Sequence, residues 1–312
     1  MRNPPPQRYL KAMSNASSDP ASAFSDLSDT LVRVAAGASA HVANLGWGRR
    51  GSLSAILWRA GVLVTSEQSL PDADHYDAVL PGGGHARATL AGRDPSTNVA
   101  VLRVAAEAAA FAVAEPTGVG ALVLAVGSDG GGGGTARMGG VEVLGPAWES
   151  QRGGRIDRLV RIGVRLPPGA EGGPVVDARG ALLGMSTFGP RRDVLVIPAA
   201  TVARVVDPLL QQGRMARGWL GVGLHEVALP AEIAQRAAAT GGLMVMSFAD
   251  AAPAAGLLLP GDVLVAVAGS AVTTVRALAR MLGPDAVGKT LELTLVRGGA
   301  LTTVPVVVGA RP

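Results

Sequence analysis

Twelve short apolar runs follow one another along the first two thirds of the chain, and each is bounded by Gly, Pro, Asp or Ser. The runs are 38–45, 53–58, 62–65, 77–80, 86–91, 99–104, 121–126, 141–144, 159–164, 174–176, 182–187 and 194–197. Apolar segments of this length between turn-forming residues are typical of β-strands. Because the only helix predicted before or among them is a short one at 21–34, they indicate a mainly β fold of antiparallel barrels or sandwiches.

The composition allows a packed core and excludes several classes of protein. Hydrophobic residues make up 48% of the chain and charged residues 17%, which excludes global disorder. The chain has no cysteine, which excludes disulfides, zinc fingers and thiol catalysis. We expect no cofactor. The five glycines at 130–134 are predicted to form a mobile loop that packs on nothing.

The charge pattern favours neither nucleic acid nor a membrane as a partner. The net charge is +4. The densest basic series comprises Arg152, Arg155, Arg158, Arg161 and Arg165. With no nucleic-acid motif beside it, this series predicts a solvated face. No apolar run approaches the roughly 18 residues of a membrane-spanning helix. Residues 1–23 lack the apolar segment of a secretory signal, so the chain as written is expected to be cytoplasmic.

A change of hydrophobic period marks the boundary between two predicted domains. Between 199 and 213 the apolar residues recur at helical spacing, and Gly213 follows as a helix stop. We therefore predict a disordered arm at 1–20, a first domain at 21–213 and a second at 214–312. The order of strands and helices in the second domain predicts a small β-sandwich with two helices.

The second domain resembles a PDZ domain of the type found in bacterial proteases. The motifs that carry the resemblance are Gly218-Trp219-Leu220-Gly221-Val222, Ala251-Ala252-Pro253-Ala254-Ala255-Gly256-Leu257 and Leu259-Pro260-Gly261-Asp262-Val263-Leu264. The resemblance implies that Trp219, Leu220, Gly221 and Val222 form a loop whose N–H groups bind the terminal carboxylate of a peptide. It also implies that Leu278 lines a side-chain pocket and that the peptide pairs with an edge strand. The alternative is a PDZ fold that serves only packing or regulation.

The first domain resembles the HtrA (DegP-like) serine proteases, which have a trypsin-like fold of two β-barrels. The motifs are Gly61-Val62-Leu63-Val64-Thr65, Asp94-Pro95-Ser96-Thr97-Asn98, Gly169-Ala170-Glu171-Gly172-Gly173-Pro174 and Gly184-Met185-Ser186-Thr187. With the PDZ domain, the resemblance covers residues 24–309.

The three positions of the catalytic triad are all substituted. By resemblance, the histidine of the family is replaced by Gln68, the aspartate by Asn98 and the serine by Glu171. Serine attack needs a basic imidazole oriented by a carboxylate, and neither is present at these positions. Loss of a whole triad costs on the order of a million-fold in rate. The glycine-bounded turn at Gly169 and Ala170 is retained, and we hypothesise that the Glu171 carboxylate occupies the backbone N–H groups of this oxyanion turn.

Other residues do not rescue the chemistry. His75 lies in an acidic loop with Asp72, Asp74 and Asp77, but no second histidine stands at a ligand spacing. An exposed loop histidine is therefore favoured over a metal site. Hydrolysis of sugars by Glu171 and a second carboxylate is disfavoured, since no sugar-binding aromatic residues accompany it.

The sequence thus predicts a catalytically inactive HtrA-like pseudoprotease that binds peptides, protein C-termini or unfolded segments as a scaffold, chaperone-like protein or regulator. One alternative is an active serine endopeptidase of the same family in protein quality control. Another is a structural subunit mixed into oligomers with an active relative. The resemblance also implies a homotrimer, with Tyr9 and Phe24 as candidate contacts, and export, since family members are mostly periplasmic.

Overall fold

The computed structural model describes residues 20–47, 51–109 and 111–311. Most of the predicted arm, together with Tyr9, lies outside the described residues. Helix α1 (Pro20–Ser39) already begins at the last residue of that arm. It is longer than predicted, because the alanine-rich stretch after Val34 favours the helix and Ala38 packs against β-strand residues. The strand predicted to begin at residue 38 therefore begins at Val42.

Six antiparallel strands close into a first barrel. They are β1 (Val42–Gly46), β2 (Ser52–Arg59), β3 (Val62–Ser66), β4 (His75–Val79), β5 (His85–Asp94) and β6 (Val99–Arg103), in the order β1-β2-β3-β6-β5-β4. Alternate residues of these strands face inward, and Leu45, Leu63 and Leu102 fill the barrel. Closure leaves this sheet without an exposed edge.

A second barrel follows with the order β11-β14-β13-β12-β7-β8. Its strands are β7 (Leu122–Ser128), β8 (Gly134–Gly145), β11 (Leu159–Ile162), β12 (Pro174–Asp177), β13 (Leu182–Phe188) and β14 (Val194–Pro198), and a small hairpin of β9 (Trp148–Glu149) and β10 (Arg155–Ile156) projects between β8 and β11. Helix α2 (Ala199–Gln212) ends at Gly213, as predicted, with the left-handed conformation of a helix stop. Its buried Val202, Val205 and Leu209 pack on residues from both barrels.

The five-glycine run at 130–134 does make packing contacts, so the prediction that it packs on nothing is wrong. It connects β7 to β8, and the Asp129 carboxylate accepts the N–H groups of Gly131 and Gly133 at 2.8 and 3.0 Å. A Cβ atom on Gly132 would lie 2.6 Å from the Cα of Gly83. The run therefore rests on a second glycine turn, which glycine allows because it has no side chain.

The C-terminal part is a separate sheet with the order β16-β17-β18-β20-β21 and two short helices. Its strands are β15 (Gly218–Trp219), β16 (Val222–Ala228), β17 (Gly241–Phe248), β18 (Val263–Val267), β19 (Ser270–Ala271), β20 (Thr290–Arg297), β21 (Ala300–Val307) and β22 (Gly309–Ala310), and its helices are α3 (Ala231–Ala237) and α4 (Val275–Met281). Leu243, Leu264 and Leu293 are fully buried in its core. The mainly β class, the two barrels and the two helices of this part agree with the sequence prediction; the boundary at 213/214 remains a proposal.

No helix in the described ranges is long and apolar enough to cross a membrane.

Candidate functional site

The three positions predicted to correspond to a catalytic triad meet at the contact between the two barrels. Gln68 lies in a single 3-10 turn (Glu67–Ser69) directly after β3, and Asn98 lies in the turn before β6 with a φ of 60°. Glu171 lies in the glycine-bounded turn that leads into β12. The structure therefore brings together the residues that the sequence predicted to share a site.

The carboxylate of Glu171 points into the protein. The residue is 2% exposed, and its Oε1 accepts hydrogen bonds from Gln68 Nε2 at 2.7 Å and from the hydroxyls of Ser66 and Thr187 at 2.8 Å each. Oε1 also accepts the N–H of Phe188 at 3.0 Å, and Oε2 accepts the hydroxyl of Ser69. None of these five donors carries a positive charge. A buried carboxylate is stabilised here by hydrogen bonds in place of an ion pair.

Gln68 and Asn98 complete the network. The Oδ1 atom of Asn98 accepts the backbone N–H of Gln68 at 2.7 Å, and its Nδ2 donates to Thr187 Oγ1 at 2.6 Å. Gln68 Nε2 additionally donates to the carbonyl oxygen of Phe188 at 2.9 Å. Both amides are used as hydrogen-bonding groups, and an amide nitrogen has no lone pair that could take a proton at neutral pH.

The hypothesis that Glu171 occupies the oxyanion turn is wrong. The backbone N–H that the carboxylate accepts belongs to Phe188 and not to the turn at 169–171. Within that turn, Gly169 has a φ of 82°, its carbonyl accepts both the N–H and the hydroxyl of Ser54 at 2.7 Å, and Ala170 N–H donates to the carbonyl of Pro167. The carboxylate turns toward β3 and β13 because the hydroxyl and amide donors converge there.

Sequence reasoning missed Ser66, Ser69 and Thr187 as members of the site. Ser66 and Ser69 flank position 68, and Thr187 ends the segment that follows the glycine turn, so all three lay within or beside the motifs that carried the resemblance. A glutamate at a buried position requires donors. That requirement was the signal that could have singled out these hydroxyls.

A cleft of about 480 Å³ remains above the network. Ser69, Phe188 and Arg192 are among the residues that line it, and the Arg192 guanidinium lies 4.9 Å from the centroid of the Phe188 ring. His75 is exposed on β4, and the described residues contain no group of three or more His, Asp or Glu side chains that could hold a metal ion. Gln68 and Glu171 are also among the residues that line this cleft.

A second candidate site is a groove of about 280 Å³ between strand β16 and helix α4. Its lining includes all five residues predicted from the PDZ resemblance, namely Trp219, Leu220, Gly221, Val222 and Leu278. Gly221 adopts a φ of 74°, and β16 begins after it at Val222, whereas the sequence predicted a strand from Leu220.

This groove offers backbone donors that its surroundings leave unused. Within the described residues, no acceptor takes up the N–H of Leu220 or of Gly221, whereas their carbonyls accept from Ala254 and Ala249. Strand β16 pairs with β17 on one side and forms the edge of its sheet on the other. Unpaired N–H groups beside an open edge strand are the features that bind the carboxylate and the backbone of an extended peptide.

Comparisons with known proteins agree with both halves of the structure. A family described as a trypsin-like peptidase domain matches residues 53–185, and one described as a PDZ domain matches residues 218–308. Among curated relatives, a probable periplasmic serine endoprotease DegP-like of Brucella suis biovar 1 is 33% identical over 264 residues, which is 81% of this chain and 51% of the relative. A protein of the same description from Rhizobium meliloti is 32% identical and is covered to 52%. The chain thus spans about half the length of these curated relatives.

Solved structures show the same arrangement. The HtrA-type protease AlgW with a decapeptide superposes with a TM-score of 0.66 at 26% identity, covering 90% of this chain and 98% of that one. AlgW with a tripeptide gives 0.64 at 28% identity, covering 90% and 97%. Taken with the two barrels, the glycine-bounded turn and the C-terminal groove, these similarities show that the chain belongs to the HtrA/DegP family and carries one PDZ domain.

Proposed function

We propose that this protein is an inactive member of its family that binds peptides or unfolded protein segments through its PDZ groove and acts as a scaffold, a chaperone-like protein or a regulator. The observation that carries the proposal is the burial of the Glu171 carboxylate against five neutral donors. At the position where the resemblance places the nucleophile, the chain has a carboxylate whose two oxygens accept hydrogen bonds from neighbouring residues.

One hydroxyl in the cleft, that of Ser69, lies beside the Glu171 carboxylate. This pair is the alternative catalytic group that a test of inactivity must exclude. Ser69 lines the cleft and donates to Glu171. A carboxylate is ordinarily a weaker base than imidazole, by about two pKa units. We therefore expect no acyl transfer by this pair.

The test is cleavage of casein by the purified chain, compared with the triple variant Gln68→His/Asn98→Asp/Glu171→Ser. We expect no turnover by the natural protein and a measurable gain in the triple variant, since the framework of the turn is retained. Cleavage by the natural protein that is lost in Ser69→Ala or Glu171→Gln would overturn the proposal. Circular dichroism of each variant separates a lost activity from a lost fold.

The binding half of the proposal rests on the groove. The structures of AlgW with a decapeptide and with a tripeptide concern that protein, and the PDZ groove of this chain supports the same class of ligand. Fluorescence anisotropy with a labelled peptide that ends in an apolar residue should show saturable binding, and the same peptide with an amidated C-terminus should bind at least about tenfold more weakly. Equal binding of both peptides would exclude recognition of the carboxylate.

A specific surface favours a second candidate function, that of a structural subunit in oligomers. On α1 the large apolar residues Phe24 and Val32 are 74% and 64% exposed. Apolar side chains exposed together are typical of interaction surfaces. Co-purification with an active relative from the native host, lost in Phe24→Ser, would support mixed oligomers, whereas a monomer in light scattering would exclude them.

The named relatives are described as periplasmic, and we propose the same compartment for this chain. Fractionation of native cells with an antibody to the chain tests this directly.

A further inference from the structure

A partly enclosed cavity of about 210 Å³ lies where the barrels face the PDZ domain. Gln151 and Arg152, from the hairpin of β9 and β10, line one side of it. Arg217, Arg276 and Arg280 of the C-terminal part line the other. Every charged residue in the lining is an arginine.

The carboxylates nearby neutralise only two of the four arginines. Arg280 Nε lies 3.6 Å from Glu149, and Arg152 Nη1 lies 3.5 Å from Glu67. Within the described residues, no carboxylate lies within 4.0 Å of the guanidinium of Arg217 or of Arg276. Arg217 donates to the carbonyl oxygen of Arg152 at 3.4 Å, and Arg276 donates to that of Gln151 at 3.1 Å.

The arrangement brings like charges close together. Arg276 and Arg280 stand four residues apart on α4, a helix of seven residues, and like charges at this spacing destabilise a helix. A concave surface lined by one sign of charge also concentrates counter-ions. The planar guanidinium group matches the geometry of phosphate oxygens and binds them through paired hydrogen bonds.

We propose that this cavity binds a small multivalent oxyanion of the phosphate class. The anion would bridge Arg152 of the barrels and Arg276 of the PDZ domain and so hold the two parts together. Arg217, Ala279 and Leu282 line both this cavity and the peptide groove. The proposed anion site therefore lies next to the peptide groove, with Arg276 and Arg280 on its side of α4 and Val275 and Leu278 on the side of the groove. The proposal is independent of whether the barrels have any catalytic activity.

The probe is pyrophosphate, with inorganic phosphate as a second arm and sodium chloride at equal ionic strength as the reference. Titration calorimetry on the intact chain should show one saturable site for pyrophosphate, and the melting temperature should rise with its concentration because only the folded chain has the site. Arg276→Gln should weaken binding by about tenfold.

The matched control is Arg236→Gln, because Arg236 also donates to a backbone carbonyl, that of Gly299 at 3.1 Å, but lies away from the cavity. It should leave the affinity for pyrophosphate unchanged. If Arg276→Gln fails to fold, Arg276→Lys retains the charge and should still weaken binding, because it loses the paired hydrogen bonds. The absence of a saturable signal, an equal effect of both glutamine variants, or binding to phosphatidic acid vesicles without binding to the free anions would overturn the proposal.

Discussion

The two candidate sites of this protein differ in where their hydrogen bonds go. At the contact of the barrels, the Glu171 carboxylate accepts hydrogen bonds from the hydroxyls around it, so the polar groups of this network are paired with one another. In the PDZ groove, the N–H groups of Leu220 and Gly221 have no acceptor within the described residues, and the edge of β16 is open. A site whose polar groups are already paired contributes to stability, whereas a site that leaves them unpaired is available for binding.

Changes at the closed network should therefore affect stability most. Replacing Glu171 by alanine removes the acceptor of three hydroxyls, one amide and one backbone N–H in a buried setting. We expect a loss of about 3 kcal/mol in the free energy of unfolding. Urea denaturation followed by circular dichroism measures it.

The control is Glu142→Ala, since Glu142 belongs to the same barrel and is about half exposed in its ion pair with Arg161. That variant should change the free energy of unfolding by less than about 1 kcal/mol. A similar loss in both variants would mean that the buried network contributes no more than a surface ion pair.

The PDZ domain contains its own buried carboxylate, Asp262, and this one does have a cationic partner. Arg297 donates to both of its oxygens at 2.8 and 2.7 Å, and Leu259 N–H donates at 2.7 Å. We expect Asp262→Asn to lower the free energy of unfolding of this domain by about 2 kcal/mol, a moderate value because Arg297 is one third exposed and screened by solvent. Thermal denaturation of the intact chain would show an earlier transition for this domain, and a single unchanged transition would contradict the expectation.

The pairing of Asp262 with Arg297 also makes the stability of the folded protein depend on pH. The hydrogen bonds from Arg297 lower the pKa of Asp262 in the folded state, against the opposing effect of burial. The stabilisation is therefore fully present above the unfolded pKa of about 3.9, and it is lost as the pH falls from there through the lowered pKa of the folded state. The variant Asp262→Asn has no carboxylate at this position. Its free energy of unfolding should therefore fall less than that of the natural protein as the pH is lowered through this range.

Changes at the open groove should affect binding more than stability. A Cβ atom on Gly221 would lie 2.3 Å from the Cβ of Ala252, at a φ of 74°. Gly221→Ala should displace the loop and weaken peptide binding by at least about tenfold in fluorescence anisotropy. Gly256→Ala is the matched control, because Gly256 has a φ of 78° but a Cβ atom there would meet no other atom within 4 Å. If both variants weaken binding equally, backbone strain alone accounts for the effect.

The smallest effect is expected at Arg158, one member of the arginine series that begins at Arg152. Arg158 pairs with Glu115 at 3.4 Å, and the two side chains are 37% and 59% exposed. Arg158→Gln should change the free energy of unfolding by less than about 1 kcal/mol, and the difference should shrink further at high salt. A larger effect in urea denaturation would show that this series has a structural role beyond solvation.

Much of the architecture was predictable because it depends on local sequence. The run at 182–187 became β13 (Leu182–Phe188), and the helical spacing after Ala199 became α2 with its stop at Gly213. Errors arose where a tertiary contact changed a local preference. The packing of Ala38 extended α1, and the turn at Gly221 moved the start of the strand predicted from Leu220 to Val222.

From the sequence alone, we predicted that Gln68, Asn98 and Glu171 occupy the three positions of the triad, which leaves no imidazole or thiol at them, and that glycine turns present residue 171. Only the tertiary structure decided the direction of the Glu171 side chain. Its donors Ser66 and Thr187 are 121 residues apart in the chain, and closure of both barrels is what brings their hydroxyls to one carboxylate. The same holds for the four arginines between the barrels and the PDZ domain, because a shared cavity depends on how folded surfaces meet and not on the spacing of residues along the chain.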